Sequence, residues 1–232
     1  MSDDKSRLPK SIKDSFRGDL FKDWTPEIRP EKWLMRLPSD VVKDTEPKGK
    51  IVLDVGTGKG RFAVVFAQAG AEKVVAVDIS PHMLGLASES ANRYGVSDKI
   101  SFEIGDVENL KYPDNSFDIV CCMATTVHLP YPDKAISELV RVCKIGGLVV
   151  VDAPIDEPPK QGPYWKSFTE DEFKKLVGIN SLKIEIWRRY SLPKVETATI
   201  TCVARKAQSK TFKMNKNRNR LVKYATEKNS LW

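Results

Sequence analysis

The apolar, β-branched run Ile51-Val-Leu-Asp-Val55 stops at three closely spaced glycines and passes at once into a helix-forming stretch, Arg61 to Ala69. That pattern reads as a buried parallel strand, a tight turn and a helix start. Glycine at Gly56, Gly58 and Gly60 removes the Cβ atoms that would hold a ligand away from the backbone. The N–H groups of the helix's first turn, with no partner inside the helix, then face that ligand. So far the stretch specifies an α/β sheet with a site for a small polar molecule.

The rest of the chain repeats the unit. Strands are expected at 51–55, 73–78, 100–104, 117–123 and 148–152, with helices after the first, second and fourth. Ser80 and Pro81 supply an N-cap and first helical position. Leu84, Ala87, Ala91 and Tyr94 then recur at helical spacing, and Gly95 closes that helix. A helix from about 133 to 144 buries Ile136, Leu139, Val140 and Cys143, and Gly146-Gly147 turns the chain into the fifth strand. Strands alternating with helices specify a parallel sheet covered on both faces. A Pro-rich loop (153–167) leads to a capping box, Thr169 to Glu172, at the head of another helix. Two last strands, 182–190 and 196–204, are joined by a short turn at Leu192-Pro193 and so pair antiparallel.

Charge is informative once located. The chain of 232 residues carries a net +7. Seven Lys/Arg and one acid, Glu227, lie in 207–232, so that segment alone holds +6. The basic character is a tail and not a domain face. Four cysteines, Cys121, Cys122, Cys143 and Cys202, show no C-x-x-C spacing and read as free thiols in a reducing compartment, the cytoplasm by default. No metal site is expected. No apolar run approaches the roughly 18 residues of a membrane span, and the polar N-terminus does not read as a signal peptide. Three parts follow: residues 1–47, a domain at 48–206, and the tail 207–232. In the first part, short helices between about 10 and 42 carry Phe21, Trp24, Trp33 and Leu34. They either lie over the glycine turn as a lid or patch the core.

The glycine spacing narrows the ligand. A dinucleotide fingerprint reads G-x-G-x-x-G, with the pyrophosphate on the helix N-terminus. Here it is G-x-G-x-G, with Thr57 and Lys59 between the glycines and Asp54 two residues before the first. A carboxylate at that strand end repels a pyrophosphate and suits an ammonium or sulfonium group. Asp78 ends the second strand, where a carboxylate accepts hydrogen bonds from ribose hydroxyls, and Asp106 follows the third. Three acids thus close three strands on one sheet edge, with Lys59 the lone basic clamp.

This constellation resembles the class I S-adenosylmethionine (SAM)-dependent methyltransferases, whose first motif reads D/E-x-G-x-G-x-G. The resemblance covers about 48–153, and more weakly 206. It implies an α/β, Rossmann-like methyltransferase fold: a seven-stranded, mostly parallel sheet finished by an antiparallel edge hairpin. SAM is the implied cofactor. Asp54, Gly56, Thr57, Gly58 and Gly60 would form the turn at its methionine part. Asp78 and Ile79 would meet the ribose, Asp106 and Val107 the adenine. Met123, with Ala124 and Thr125, would sit by the reactive methyl.

The segment after the fourth strand bears on the methyl acceptor. It lacks the Asn/Asp-Pro-Pro-Tyr turn of enzymes that methylate base amino groups, and no cysteine follows proline as in RNA cytosine-C5 enzymes. Phe117-Asp-Ile-Val followed by His128-Leu-Pro resembles the small-molecule group that includes quinone-biosynthesis C-methyltransferases, whose N-terminal signature is absent here. The expected activity is methyl transfer to a small, partly apolar acceptor. Methyl transfer needs alignment and exclusion of water, and a base only where the acceptor must lose a proton. His128, one of two histidines, is the candidate base, although a lone histidine is more often structural; His82, in the first turn of a helix, is the weaker one. Thr125, Tyr164 and Trp165, with Phe168, are candidates for the acceptor pocket, against simple packing.

Alternatives stay open. The tail's Lys/Arg, interleaved with Phe212, Tyr224 and Trp232, suits RNA docking, an anionic membrane surface or a solvated helix. An RNA or protein methyltransferase docking through that tail is one rival, and a non-catalytic SAM-binding protein another. A short-chain dehydrogenase wants Tyr-x-x-x-Lys on a helix; Tyr190 and Lys194 match the letters, but Pro193 breaks any helix there.

Overall fold

The structure, a computed structural model, describes residues 31–129, 131–155, 167–178, 182–191 and 198–208. A first helix, α1 (Glu31–Thr45), precedes the alternating units. These are β1 (Ile51–Val55), α2 (Arg61–Gln68), β2 (Lys73–Asp78), α3 (Pro81–Arg93), β3 (Ile100–Ile104), β4 (Phe117–Cys122) and α4 (Pro132–Val142). After them come β5 (Cys143–Ile155), α5 (Glu170–Gly178), β6 (Leu182–Ser191) and β7 (Ala198–Lys206). Among the described residues seven strands form one sheet in the order β3-β2-β1-β4-β5-β7-β6. β1 to β5 pair in parallel, and β7 runs antiparallel to both of its neighbours.

The inner strands β1, β2, β4, β5 and β7 are largely buried on both faces, which explains why they read as mostly apolar runs. On one face Leu53, Val55, Val120 and Val151 pack beneath Ile136, Leu139, Phe173 and Val177 of α4 and α5. On the other, Val52, Val74, Ile119 and Val150 pack with Phe62, Phe66 and Ala91 of α2 and α3 and with Leu37 and Val41 of α1. Of the two roles open to the N-terminal segment, the described part of α1 thus covers the sheet. It is anchored to β6 as well: Arg188 donates to Asp44, and the Tyr190 hydroxyl donates to Asp40 at 2.8 Å. Tyr190 is therefore a strand residue bound to α1, not half of a helical Tyr–Lys pair. Phe21 and Trp24, and the side chains of Trp33 and Leu34, lie outside the described residues, as does the segment 209–232.

Local signals hold at most ends. The Ser80 hydroxyl accepts from the Met83 N–H at 3.4 Å as an N-cap. The capping box is reciprocal: the Thr169 N–H donates to Glu172 at 2.8 Å, and the Glu172 N–H to Thr169 Oγ1 at 3.2 Å.

Four expectations need correction. Gly146-Gly147 is not the turn before β5 but part of it, since the strand starts at Cys143. The β4–β5 register jumps there, from Phe117↔Cys143 to Ile119↔Leu148, so the pair forms an irregularity within the ladder. A Cβ on Gly147 would lie 2.7 Å from the Asp118 carbonyl oxygen, so backbone closeness selects glycine. β5 also outlasts its expected end, because Ala153, Pro154 and Ile155 pair with β7. Tyr94 is 57% exposed at the end of α3, where the helical face it was assigned to has already turned away. Cys143 belongs to β5 and not to the preceding helix.

Candidate active site

In an open α/β sheet, ligands bind outside the carboxyl ends of the strands where strand order reverses. Here the chain moves outward from β1 to β2 and β3, then returns to place β4 on the other flank of β1. The crevice therefore lies between the turn after β1 and the loop after β4.

The turn after β1 is built from backbone and two acids. Gly56, Gly58 and Gly60 all have positive φ (68°, 54° and 78°), a region that favours glycine. The Gly56 and Thr57 N–H groups donate to the Val77 carbonyl at 2.8 and 3.0 Å, tying the turn to β2. Each glycine then has its own reason. A Cβ on Gly60 would lie 3.0 Å from that of Ala87, so this glycine lets α2 pack on α3. A Cβ on Gly56 would lie 2.2 Å from Thr125 Oγ1, so this one lets the loop after β4 approach. A Cβ on Gly58 would meet nothing within 4 Å; its bare backbone faces open space, the cradle a nucleoside-bearing ligand requires.

Asp54 lies beneath the turn, 2% exposed. Its Oδ2 accepts from the Thr57 hydroxyl at 2.6 Å and the Ala63 N–H at 3.0 Å. The acid expected to face the ligand instead holds the turn to the start of α2, and one of the first-turn donors expected to point outward is taken by it. Burial pushes its pKa up to about 6, against the opposing effect of those hydrogen bonds. Asp78 is half-buried and spans the crevice floor: Oδ2 accepts from the Gly58 N–H at 2.8 Å, Oδ1 from the Ser80 N–H at 2.9 Å. Burial raises its pKa too. Ile79 follows it, half-buried. Asp106 closes a turn after β3, its Oδ1 accepting from the Glu108 N–H at 3.0 Å, and Val107 is buried in the core.

The loop after β4 forms the opposite wall. Met123 is buried at the strand end. Thr125 Oγ1 donates to the Met123 carbonyl at 3.1 Å and reaches the Gly56 carbonyl at 3.4 Å. His128 ends a short 3-10 turn, half-buried, its N–H donating to the Thr125 carbonyl at 2.9 Å. The structure thus brings Asp54, Gly56, Thr57, Gly58, Gly60, Asp78, Met123 and Thr125 around one crevice. Asp106 and Val107 follow β3, two strands away from β1. Phe168 is in the core against Phe173, a packing role, and His82 is exposed on α3. Tyr164 and Trp165 lie outside the described residues.

One residue escaped the sequence reading. Asp152, 3% exposed, accepts from the Ala124 N–H at 2.6 Å. Its signal was faint: an acid inside a valine run looks like a strand end. The four cysteines are all buried and free, and burial raises their pKa values, so none is a poised nucleophile. Among the described residues no cluster of three or more His, Cys, Asp or Glu could hold a metal. None of the described helices is long and apolar enough to cross a membrane.

These residues fit SAM: an open backbone cradle, a half-buried acid on the crevice floor, and a negative field from Asp54 and Asp78 that suits a cation. Residues 53–151 match the family described as "Methyltransferase domain". The chain is 38% identical over 119 residues, 47% of its length, to a probable methyltransferase, ltbC, of Aspergillus luteorubrus, covering 42% of that protein. It is 33% identical over 111 residues, 48% of its length, to a probable chloroplastic tocopherol O-methyltransferase of Oryza sativa subsp. japonica, covering 31% of that protein. The match thus spans less than half the length of either relative. Among solved structures, magnesium protoporphyrin IX methyltransferase of Synechocystis PCC 6803 with bound SAH superposes with a TM-score of 0.66 at 19% identity, over 80% or more of both chains (84% and 98%). That likeness is one of fold. Residues 53–151 thus match a methyltransferase-domain family, within a fold like that of a methyltransferase solved with bound SAH.

Proposed function

We propose that this protein is a SAM-dependent methyltransferase acting on a small, partly apolar acceptor. The observation that carries the reading is the crevice at the β1/β4 switch point, where the Gly58 backbone is bare and Asp78 spans the floor. When bound, SAM supplies a methyl group open to in-line displacement at sulfonium. The chain's own part is to hold and orient. Asp78 takes the ribose, Asp106 and Val107 the adenine side, and the Gly56–Gly60 turn the methionine part. Met123 and Thr125 wall the reactive end, and Tyr164 and Trp165 line the acceptor. His128 is the candidate to accept a proton where the acceptor must lose one. The relatives' printed acceptors are small molecules, tocopherol among them, and the likeness of the segment after β4 to quinone-biosynthesis C-methyltransferases points the same way.

Thermal unfolding with SAM, S-adenosylhomocysteine (SAH) and NAD tests the class. A ligand at about a hundred times its dissociation constant adds roughly 2.7 kcal/mol of stability, read as a raised midpoint. Midpoints raised by SAM and SAH but not NAD are expected; a rise with NAD alone would overturn the assignment. SAM binding without turnover on small-molecule extracts would favour a binding protein. Buried free thiols are compatible with the cytoplasm as its location.

The +6 tail favours a second reading, docking to nucleic acid or an anionic membrane surface. Deleting 207–232 should then weaken substrate binding and flatten its salt dependence. Unchanged activity and salt response would leave the small-molecule reading alone.

A further inference from the structure

The loop after β4 is unusual in how it is held. Ala124 is exposed, carries a side chain, and has φ 56°, a left-handed conformation that such residues rarely adopt. Something must stabilise it there. Its N–H donates at 2.6 Å to Asp152 Oδ1, and two residues on the Thr126 hydroxyl donates at 2.5 Å to the Asp152 backbone carbonyl. One residue of β5 therefore grips the loop on both sides of Thr125. Thr125, between the two grips, is the residue pressed against Gly56.

A buried carboxylate is not what the sheet requires at this place. Asp152 follows Val149, Val150 and Val151, is paired across β7 with Thr201, and is almost fully desolvated. Valine would serve the core as well. What a carboxylate adds is a charged acceptor, whose hydrogen bonds are shorter and stronger than neutral ones.

We propose that Asp152 is a positioning residue of the site: it fixes the left-handed Ala124, thereby aims Thr125 at the glycine turn, and so sets the wall of the crevice opposite Asp78. Its carboxylate acts through Ala124, and its backbone carbonyl through Thr126, not by touching ligand. Its bearing on SAM rests on the methyltransferase reading above; its hold on the loop does not.

The test compares Asp152→Ala, Asp152→Asn and wild type at a temperature where all are folded. Amide exchange at Ala124 and Thr125 is measured first, then SAM and SAH affinity by calorimetry. Losing a charged hydrogen bond of this kind should speed exchange and weaken both ligands about tenfold in Asp152→Ala. Asn keeps an acceptor at Oδ1, so Asp152→Asn should stay within about threefold of wild type. In Asp152→Ala, adding Ala124→Gly makes the left-handed residue easy and should restore part of the affinity. If Asp152→Ala does not fold, Asp152→Val, which keeps apolar bulk in the core and removes the acceptor, should speed exchange at Ala124 and weaken both ligands in the same direction. Faster unfolding of the whole protein with unchanged loop exchange and unchanged affinity would make Asp152 merely structural and overturn the proposal. A wild type that binds neither SAM nor SAH would instead refute the cofactor reading. Loop exchange would then still decide for or against Asp152.

Discussion

The three glycines of one turn are not equivalent. Gly58→Ala adds a methyl group into open space and a left-handed penalty of about 1 kcal/mol. We expect it to lower stability by about that amount while losing most SAM affinity, since the methyl occupies the cradle. Calorimetry on the folded variant checks this; wild-type affinity would remove Gly58 from the site. Asp54 carries a different signature. Its ordinary pKa of 3.8 is raised to about 6 in the folded chain. Between those values the folded chain keeps a proton that the unfolded chain has released. The group's contribution to stability is therefore full below about pH 4 and is lost as pH rises through about 6, a change of a few kcal/mol at most. Burial of Asp78 acts in the same sense. Urea unfolding of wild type against Asp54→Asn across pH 4.5 to 7.5 should show wild type losing ground to the variant as pH rises. A constant difference would show that Asp54 does not titrate in this window. Neither glycine roles nor the inward turn of Asp54 were visible in the motif, because spacing says which residues are present, not which neighbour each meets.

At the scale of elements, β1, β2 and β3 end where the sequence put them, because each is cut off by glycine or an acid, and after β1 and β2 helical spacing follows. β5 was misread at both ends. Glycine signals a turn locally, yet here the glycine pair is accommodated by a register jump against β4, which only the partner strand reveals. The long connection from β3 to β4 shows a similar non-local dependence. Arg141 of α4 donates to the Leu110 and Tyr112 carbonyls at 2.8 Å each and also to Glu138 and Asp114. A planar fork suits four partners at once, and a point charge does not. Both Arg141→Ala and Arg141→Lys should therefore loosen this connection, costing about 2 kcal/mol for alanine and somewhat less for lysine. Full recovery of urea stability by lysine would show that charge alone matters.

At the scale of the whole molecule, the switch point between β1 and β4 explains why so much of the candidate site was legible. The turn, Asp78 and the loop after β4 all sit at carboxyl ends of parallel strands, so a correct strand list placed them on one sheet edge. Asp152 escaped because its role depends on the backbone conformation of Ala124, which no local pattern announces. The described part of α1 is joined to β6 by Arg188 and Tyr190 across almost the full length of the fold. We therefore expect α1 and β6 to unfold together, and thermal unfolding followed at Tyr190 and by backbone circular dichroism should give one midpoint. Two separated midpoints would show that α1 detaches on its own.

The place of β7 sets a condition on how the protein is made. It is the last of the described strands, yet it lies between β5 and β6 and pairs with β5 over Leu148 to Ile155. A nascent chain leaving the ribosome therefore carries the long, largely buried β5 with one side unsatisfied until residues 198–206 emerge. For that interval we expect the polypeptide to engage chaperones, and a chain truncated before residue 198 to aggregate; a soluble truncated chain would overturn this.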